Sequence, residues 1–174
     1  RDALGPEQTE LAVEQVGRGR AVGAQDPPPG DVVAVAVAQQ DLADVYHLLG
    51  LLESDAAGVV AARATEVERE ELKALHATLE TAAKAGQRER FFEINERFHK
   101  RLLEIANNRW RDQMVADLRK VMKLNRHNSL LKNGRIEESL AEHQVIMAAL
   151  LARNAQASVA AMQKHFSNGL EAAA

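Results

Sequence analysis

The sequence predicts an all-α fold, an antiparallel bundle of about six helices, on three observations. All four prolines (Pro6, Pro27, Pro28, Pro29) and five of the ten glycines fall within residues 1–30. From residue 40 onward the chain is rich in Ala, Leu, Glu, Arg and Lys, which are strong helix formers. Apolar residues there recur at i, i+3, i+4 and i+7, and the breaks between periodic stretches are short, as in helices that fold back on one another.

Taken in order, residues 1–39 read as an irregular N-terminal arm with Pro27-Pro28-Pro29-Gly30 as a rigid break. Asp31 to Ala38 alternates valine with small residues and fits a short strand. The helical domain spans residues 40–174. Its first helix opens at Gln40-Asp41, with Asp41 as N-cap, and runs to about Ala64 through Leu42, Val45, Leu48, Leu49, Leu52 and Ala56. Gly50 and Gly58 weaken it by roughly 1 kcal/mol each relative to Ala, so close packing on another helix must compensate. Thr65-Glu66-Val67-Glu68 starts the second helix as a capping box, and Gly86 ends it. The third covers about Arg88 to Ala106, where Asn107-Asn108 breaks the pattern. The fourth, about Arg109 to Leu131, carries Met114, Val115, Leu118, Val121 and Met122 inward and is closed by Asn133-Gly134. The fifth covers about Ile136 to Arg153 and the sixth about Ala155 to Glu171.

Bulk properties narrow the function classes. The chain has 174 residues, enough for one domain with a sizeable core, and a formal net charge of -3. That charge gives no basic signature for nucleic acid, which counts against direct DNA binding by the residues present, though not against a separate DNA-binding module. There is no cysteine, which excludes disulfides and thiolate metal sites. No apolar run approaches the roughly 20 residues of a membrane span, and no signal-peptide pattern opens the sequence. A cytoplasmic protein with no membrane partner is the expectation.

Three predicted helices place polar groups on their apolar faces. Asn95 and His99 share a stripe with Phe91, Phe92, Phe98 and Leu102. His143 lies with Leu140, Met147 and Leu150, and His165 with Met162, Phe166 and Leu170. Burying such groups without partners costs on the order of 1–3 kcal/mol each, so a shared polar site inside the bundle is predicted. Three neutral imidazoles suit a borderline divalent metal such as zinc, nickel or copper, with the Asn95 amide oxygen as a weak fourth ligand. Each imidazole should donate its second N–H to an outer acceptor. The competing reading is three core histidines hydrogen-bonded to backbone. His47, His76 and His127 lack such settings and read as surface or dimer-face residues. Arg119, Lys120, Lys123 and Arg126 make the fourth helix locally basic and read as a solvated run, in which Asn125 and Arg126 are the candidates to turn toward the pocket and bind ligand. A di-iron site is excluded, because Glu96-Arg97-Phe98-His99 has no second Glu-x-x-His copy.

The stretches DLADVYHLLGLLE (41–53), NERFHKRLLEIANN (95–108), ESLAEHQVIMAAL (138–150) and AMQKHF (161–166) together resemble the FadR-type C-terminal domain, FCD, of GntR-family bacterial transcription regulators. The resemblance covers about residues 40–170. It implies an all-α bundle that dimerises and binds a small effector, often a carboxylate. It further implies a divalent metal, zinc or nickel, at Asn95, His99, His143 and His165. Two departures stand out. Leu49-Gly50-Leu51-Leu52 occupies the stretch where the family commonly carries an Arg ahead of the Glu matched by Glu53. The family also has a winged helix-turn-helix before this domain. Arg1-Asp2-Ala3-Leu4 resembles the end of its recognition helix and Val33 to Val37 its last wing strand, but the residues between do not follow the pattern. The arm is therefore expected to be a remnant or altered end of that module, without a complete winged helix.

The expected function is then non-enzymatic: effector binding and homodimerisation in a GntR-type regulator. Two rivals remain at this stage. One is a metal-dependent hydrolase or isomerase using an open coordination position, for which Glu96, off the inward stripe, is the nearest general base. The other is a metal-free helical dimerisation module.

Overall fold

A computed structural model describes residues 39–130 and 132–173, with backbone alone for residues 39 and 124–130. The predicted strand over Asp31–Ala38, the wing remnant and the rest of the arm lie outside the described residues. Ala36–Ala174 form one compact unit. Six helices follow one another: α1 (Gln39–Arg63), α2 (Glu66–Lys84), α3 (Arg88–Ala106), α4 (Arg109–Leu130), α5 (Arg135–Leu151) and α6 (Ala155–Ala173). Connections of two to four residues join them, too short for anything but turning back, and the result is the all-α bundle that the sequence predicts.

Local chemistry sets the helix ends. Thr65 caps α2 through the full reciprocal box: its hydroxyl accepts from the Glu68 N–H while the Glu68 carboxylate accepts from the Thr65 N–H. Asn107 ends α3 in the left-handed conformation at φ 51°, which its short polar side chain tolerates. Gly134, at φ 82°, lets the chain re-enter helix at Arg135. Asp41 lies inside the first turn of α1 and does not cap it, since the helix begins at Gln39. It still opposes the positive end of the helix dipole there.

α1 is the axis of the fold, packing most extensively on α6 and also on α3, α4 and α5. By length and composition its stretch Gln40–Arg63 is apolar enough to cross a membrane, which corrects the expectation that no run approaches a span. About half of that stretch is buried inside the bundle and Glu53 sits in its middle, so the apolarity is that of a central core helix. The buried stripe is Leu42, Val45, Leu49, Ala56 and Val60. Leu48, expected inward, is exposed, as is Met114 on α4, because in each case the neighbouring Leu49 or Val115 takes the core position. Leu49, Leu102, Ile146 and Met162 are fully buried beside Phe98. Each contributes about 1.5–3 kcal/mol by leaving water.

The glycines of α1 are the compensation that the sequence demanded. A Cβ at Gly58 would stand 2.8 Å from Val159 Cγ2, and one at Gly50 would stand 3.3 Å from Phe166 Cβ, both on α6. Gly58→Ala is therefore expected to destabilise the fold. The gain in helix propensity of about 1 kcal/mol is outweighed by an overpacking cost of about 1–3 kcal/mol. A melting experiment should show a lower Tm; an unchanged or higher one would mean that α1 and α6 are less closely seated than the coordinates show.

Candidate metal centre

The helix periodicity of α3, α5 and α6 brings His99, His143 and His165 to one point. Their ring centroids are 5.3 Å (His99–His143), 5.2 Å (His99–His165) and 4.6 Å (His143–His165) apart. One ring nitrogen of each lies within 4.8 Å of the others. All three residues are buried, His143 completely. Asn95, one turn before His99, lines the adjoining cavity of about 90 Å³ together with His99, His165, Arg119 and Arg135.

Each imidazole has an acceptor at Nδ1. His99 Nδ1 is 2.6 Å from Glu53 Oε2, His143 Nδ1 is 2.7 Å from the Ser139 carbonyl oxygen, and His165 Nδ1 is 2.6 Å from Glu142 Oε2. Two of these acceptors are themselves held. Arg119 donates from Nε and Nη2 to Glu53 Oε1 at 2.9 and 2.5 Å. Arg135 donates to both oxygens of Glu142 at 2.9 and 3.0 Å, and Asn168 adds a third bond at 2.8 Å.

The electrostatics fix which nitrogen carries hydrogen. Burial pushes the Glu53 carboxyl up, but Arg119 and His99 more than offset it and hold the group at about 2. Glu142 is likewise raised by burial and brought down to about 2 by His165, Arg135 and Asn168. Both are carboxylates at neutral pH and can only accept, and a carbonyl oxygen can only accept. The hydrogen must therefore sit on Nδ1 of each histidine. Burial pushes the His99 imidazole down to about 4 against the pull of Glu53. It pushes His143 well below its usual range, with His165 and His99 adding to the effect. These two rings are neutral at pH 7, so their Nε2 lone pairs are available.

Two lone pairs have nothing to meet. His143 Nε2 and Asn95 Oδ1 are buried and without a hydrogen-bond partner, at a cost of about 1–3 kcal/mol each. A cation would satisfy both, and neutral imidazole nitrogen with amide oxygen suits a borderline divalent metal. The donor set, the neutral rings of His99 and His143 and the outer acceptors all fit such an ion. Orphaned atoms alone would not carry that inference, since Arg111 and Asp112 at the head of α4 also have them. The conjunction with three oriented imidazoles does.

Acid should unfold the metal-free protein. His99 falls from the ordinary 6.5 to about 4 on folding, and His143 shifts the same way. A depressed imidazole pKa means that the unfolded chain takes up the proton first. Stability is thus fully present above pH 6.5 and is lost as pH falls, for His99 down to about 4, by on the order of 1 kcal/mol per pH unit. Glu53 and Glu142 act with the same sign at lower pH, from 4.5 toward 2. Urea midpoints that do not fall between about pH 7 and about pH 5 would contradict the buried neutral rings.

Several residues differ from their sequence reading. Arg119, expected in a solvated run, turns inward with a side chain only 13% exposed. Glu96, expected off the inward stripe, lines the cavity and pairs with Lys123 at 2.6 Å. His76, expected at the surface, is largely buried: its side chain is 12% exposed and its Nε2 lacks a partner. It is still not one of the clustered imidazoles. The side chains of Asn125 and Arg126, the expected ligand contacts, lie outside the described residues, as does that of His127.

The model of the family described as FCD domain matches residues 44–168, which takes in every residue of this centre. The chain belongs to the FCD domain family. Among solved structures, this FCD domain is similar to E. coli McbR/YncC, with a TM-score of 0.72 and 18% identity over 78% of this chain and 68% of that one. It is also similar to Streptococcus agalactiae GntR, with a TM-score of 0.64 and 25% identity over 75% of this chain and 58% of that one. The first likeness is one of fold, and with the second it marks a GntR-type FCD protein. The chain thus spans about three fifths to two thirds of the length of these neighbours. No curated protein matches the sequence.

Proposed function

We propose that this FCD domain is the effector-binding and dimerisation domain of a cytoplasmic, bacterial GntR-type transcription regulator. In this reading Asn95, His99, His143 and His165 hold a divalent metal, zinc or nickel, and the cavity beside them takes a small organic acid. The observation that carries it is the common orientation of three buried imidazoles, each with Nδ1 engaged by an acceptor. The metal would supply a doubly charged Lewis-acidic anchor for a carboxylate. Among the described residues the cations lining the cavity are already matched: Arg119 by Glu53, Arg135 by Glu142 and Lys123 by Glu96. A cavity of about 90 Å³ has room for a few water-sized groups, well below the roughly 300–1,000 Å³ of a drug-sized pocket, and so favours a short acid.

Occupation of the site changes regulation only if the acid binds two helix arrangements with different affinity. The readout would be a homodimer carrying a winged helix-turn-helix on each chain to DNA. Self-association is supported by the apolar side chains left exposed on two helices, Leu48 and Leu51 on α1 and Trp110 and Met114 on α4. The ion pair of Arg111 with Asp55 ties these two helices together. We read the site as non-catalytic, because Glu96, the nearest candidate base in sequence, is engaged by Lys123.

Calorimetry tests the reading. Short mono-, di- and tricarboxylic acids titrated into zinc-loaded protein should include at least one binder that the metal-free protein does not bind. No binding to either form would leave a purely structural metal. A measurable turnover lost in Glu96→Gln would favour a hydrolase or isomerase.

A further inference from the structure

The three helices that carry the histidines share a second feature. One turn from each imidazole, on the same face, stand Asn95 before His99, Ser139 before His143 and Gly169 after His165. All three line the histidine cavity. Residues four apart on a helix lie one above the other, about 5.4 Å along the axis. The cavity wall beside the imidazoles is therefore an amide from α3, a hydroxyl-bearing residue from α5 and bare backbone from α6. Gly169 is bare because a Cβ there would stand 3.0 Å from Tyr46 Cε1.

The Asn95 amide is accounted for by the ion, but the Ser139 hydroxyl is not. Ser139 is 8% exposed, and its bond to His143 is made by its backbone carbonyl. Other serine hydroxyls in the bundle turn back on their own helices, Ser54 to the Leu51 carbonyl at 3.1 Å and Ser158 to the Asn154 carbonyl at 2.9 Å. Among the described residues the Ser139 hydroxyl makes no such bond. Serine is also a poorer helix former than alanine, so helix stability does not explain it. Arg135 and Ile136, in the first turn of α5, line the same cavity, which brings the positive end of that helix to this side.

We propose that the Ser139 hydroxyl is a ligand contact, donating a hydrogen bond to the carboxylate of an acid bound in the cavity. The proposal rests on the reading of the cavity as an acid site. A hydroxyl bonded to a carboxylate is charge-assisted, roughly twice as strong as a neutral pair. The side chain acts on the acid alone, since the backbone carbonyl that fixes His143 survives any substitution at this position.

The experiment is calorimetry on the zinc-loaded full chain with acetate, malonate and tricarballylate as probes. Ser139→Ala should bind the tightest of them about 10- to 100-fold more weakly than wild type, the range for a hydrogen bond to a charged group. Its zinc stoichiometry and zinc affinity should equal those of wild type. Its Tm without metal should be unchanged or higher, because the hydroxyl has no bond to lose. Ser158→Ala, which removes a bonded hydroxyl outside the cavity lining, should bind the acid as wild type does. Equal acid affinity in wild type and Ser139→Ala would overturn the contact alone. A lower metal-free Tm or a weaker hold on zinc in Ser139→Ala would overturn it too, by making the serine structural. No binding of any probe to zinc-loaded wild type would instead overturn the acid-site reading, and the contact with it.

Discussion

His143→Leu is expected to abolish metal-induced stabilisation while leaving the metal-free protein as stable as wild type or more so. His143 is completely buried, and its Nε2 has no partner in the metal-free fold, a cost of about 1–3 kcal/mol that leucine removes at similar volume. The bond lost from Nδ1 goes to the Ser139 carbonyl, which the helix also uses. With metal present the order reverses. A ligand at a thousand times its Kd stabilises the native state by about 4 kcal/mol, or very roughly 8–16 °C in Tm for a chain of this size. Loss of one imidazole should lower metal affinity by at least about 100-fold, beyond the roughly 10–100-fold of an outer-acceptor change. Thermal melts with and without zinc read both terms. A variant that is markedly destabilised without metal, and still responds to it, would mean that His143 is a packing residue.

Glu53→Ala is expected to cost about 3–5 kcal/mol, because it strands Arg119 in the interior without its counter-charge. Glu53 is 2% exposed and Arg119 13% in their side chains, so solvent can do little to compensate. The same change removes the acceptor that fixes the His99 tautomer and should weaken metal binding by about 10–100-fold. Combining Glu53→Leu with Arg119→Met should recover most of the stability and none of the affinity, since apolar replacement of a whole buried pair is often neutral or favourable. Urea denaturation and zinc titration separate the two. A loss under about 1 kcal/mol for Glu53→Ala would show that Arg119 escapes to water.

The sequence carried the helices because several boundaries have a local chemical cause: the Thr65 box, Asn107 and Gly134 act within a few residues of themselves. It carried His99, His143 and His165 because an imidazole on an apolar stripe stands out against its neighbours. The acceptors behind them were harder, since His99 meets Glu53 across 46 residues and no local pattern encodes that pairing. A signal was nevertheless present. Glu53 follows Leu49 by four and precedes Ala56 by three on the buried stripe of α1, and Arg119 holds the same relation to Val115 and Met122 on α4. Charges of opposite sign set into two facing apolar stripes are the mark of a buried pair. Arg119 was masked by Lys120 and Lys123 beside it, which made the run read as solvated. The outward turn of Leu48 and Met114 has the same origin as these successes. Adjacent apolar residues compete for one core position, and periodicity does not say which wins.

The most direct measurement is anomalous diffraction from crystals of the full chain grown with zinc and collected across the zinc edge. The account predicts one strong anomalous peak per chain, within bonding distance of Nε2 of His99, His143 and His165 and of Oδ1 of Asn95, with every Nδ1 still on its acceptor. A peak elsewhere, none at all, or imidazoles turned to bind through Nδ1 would contradict it.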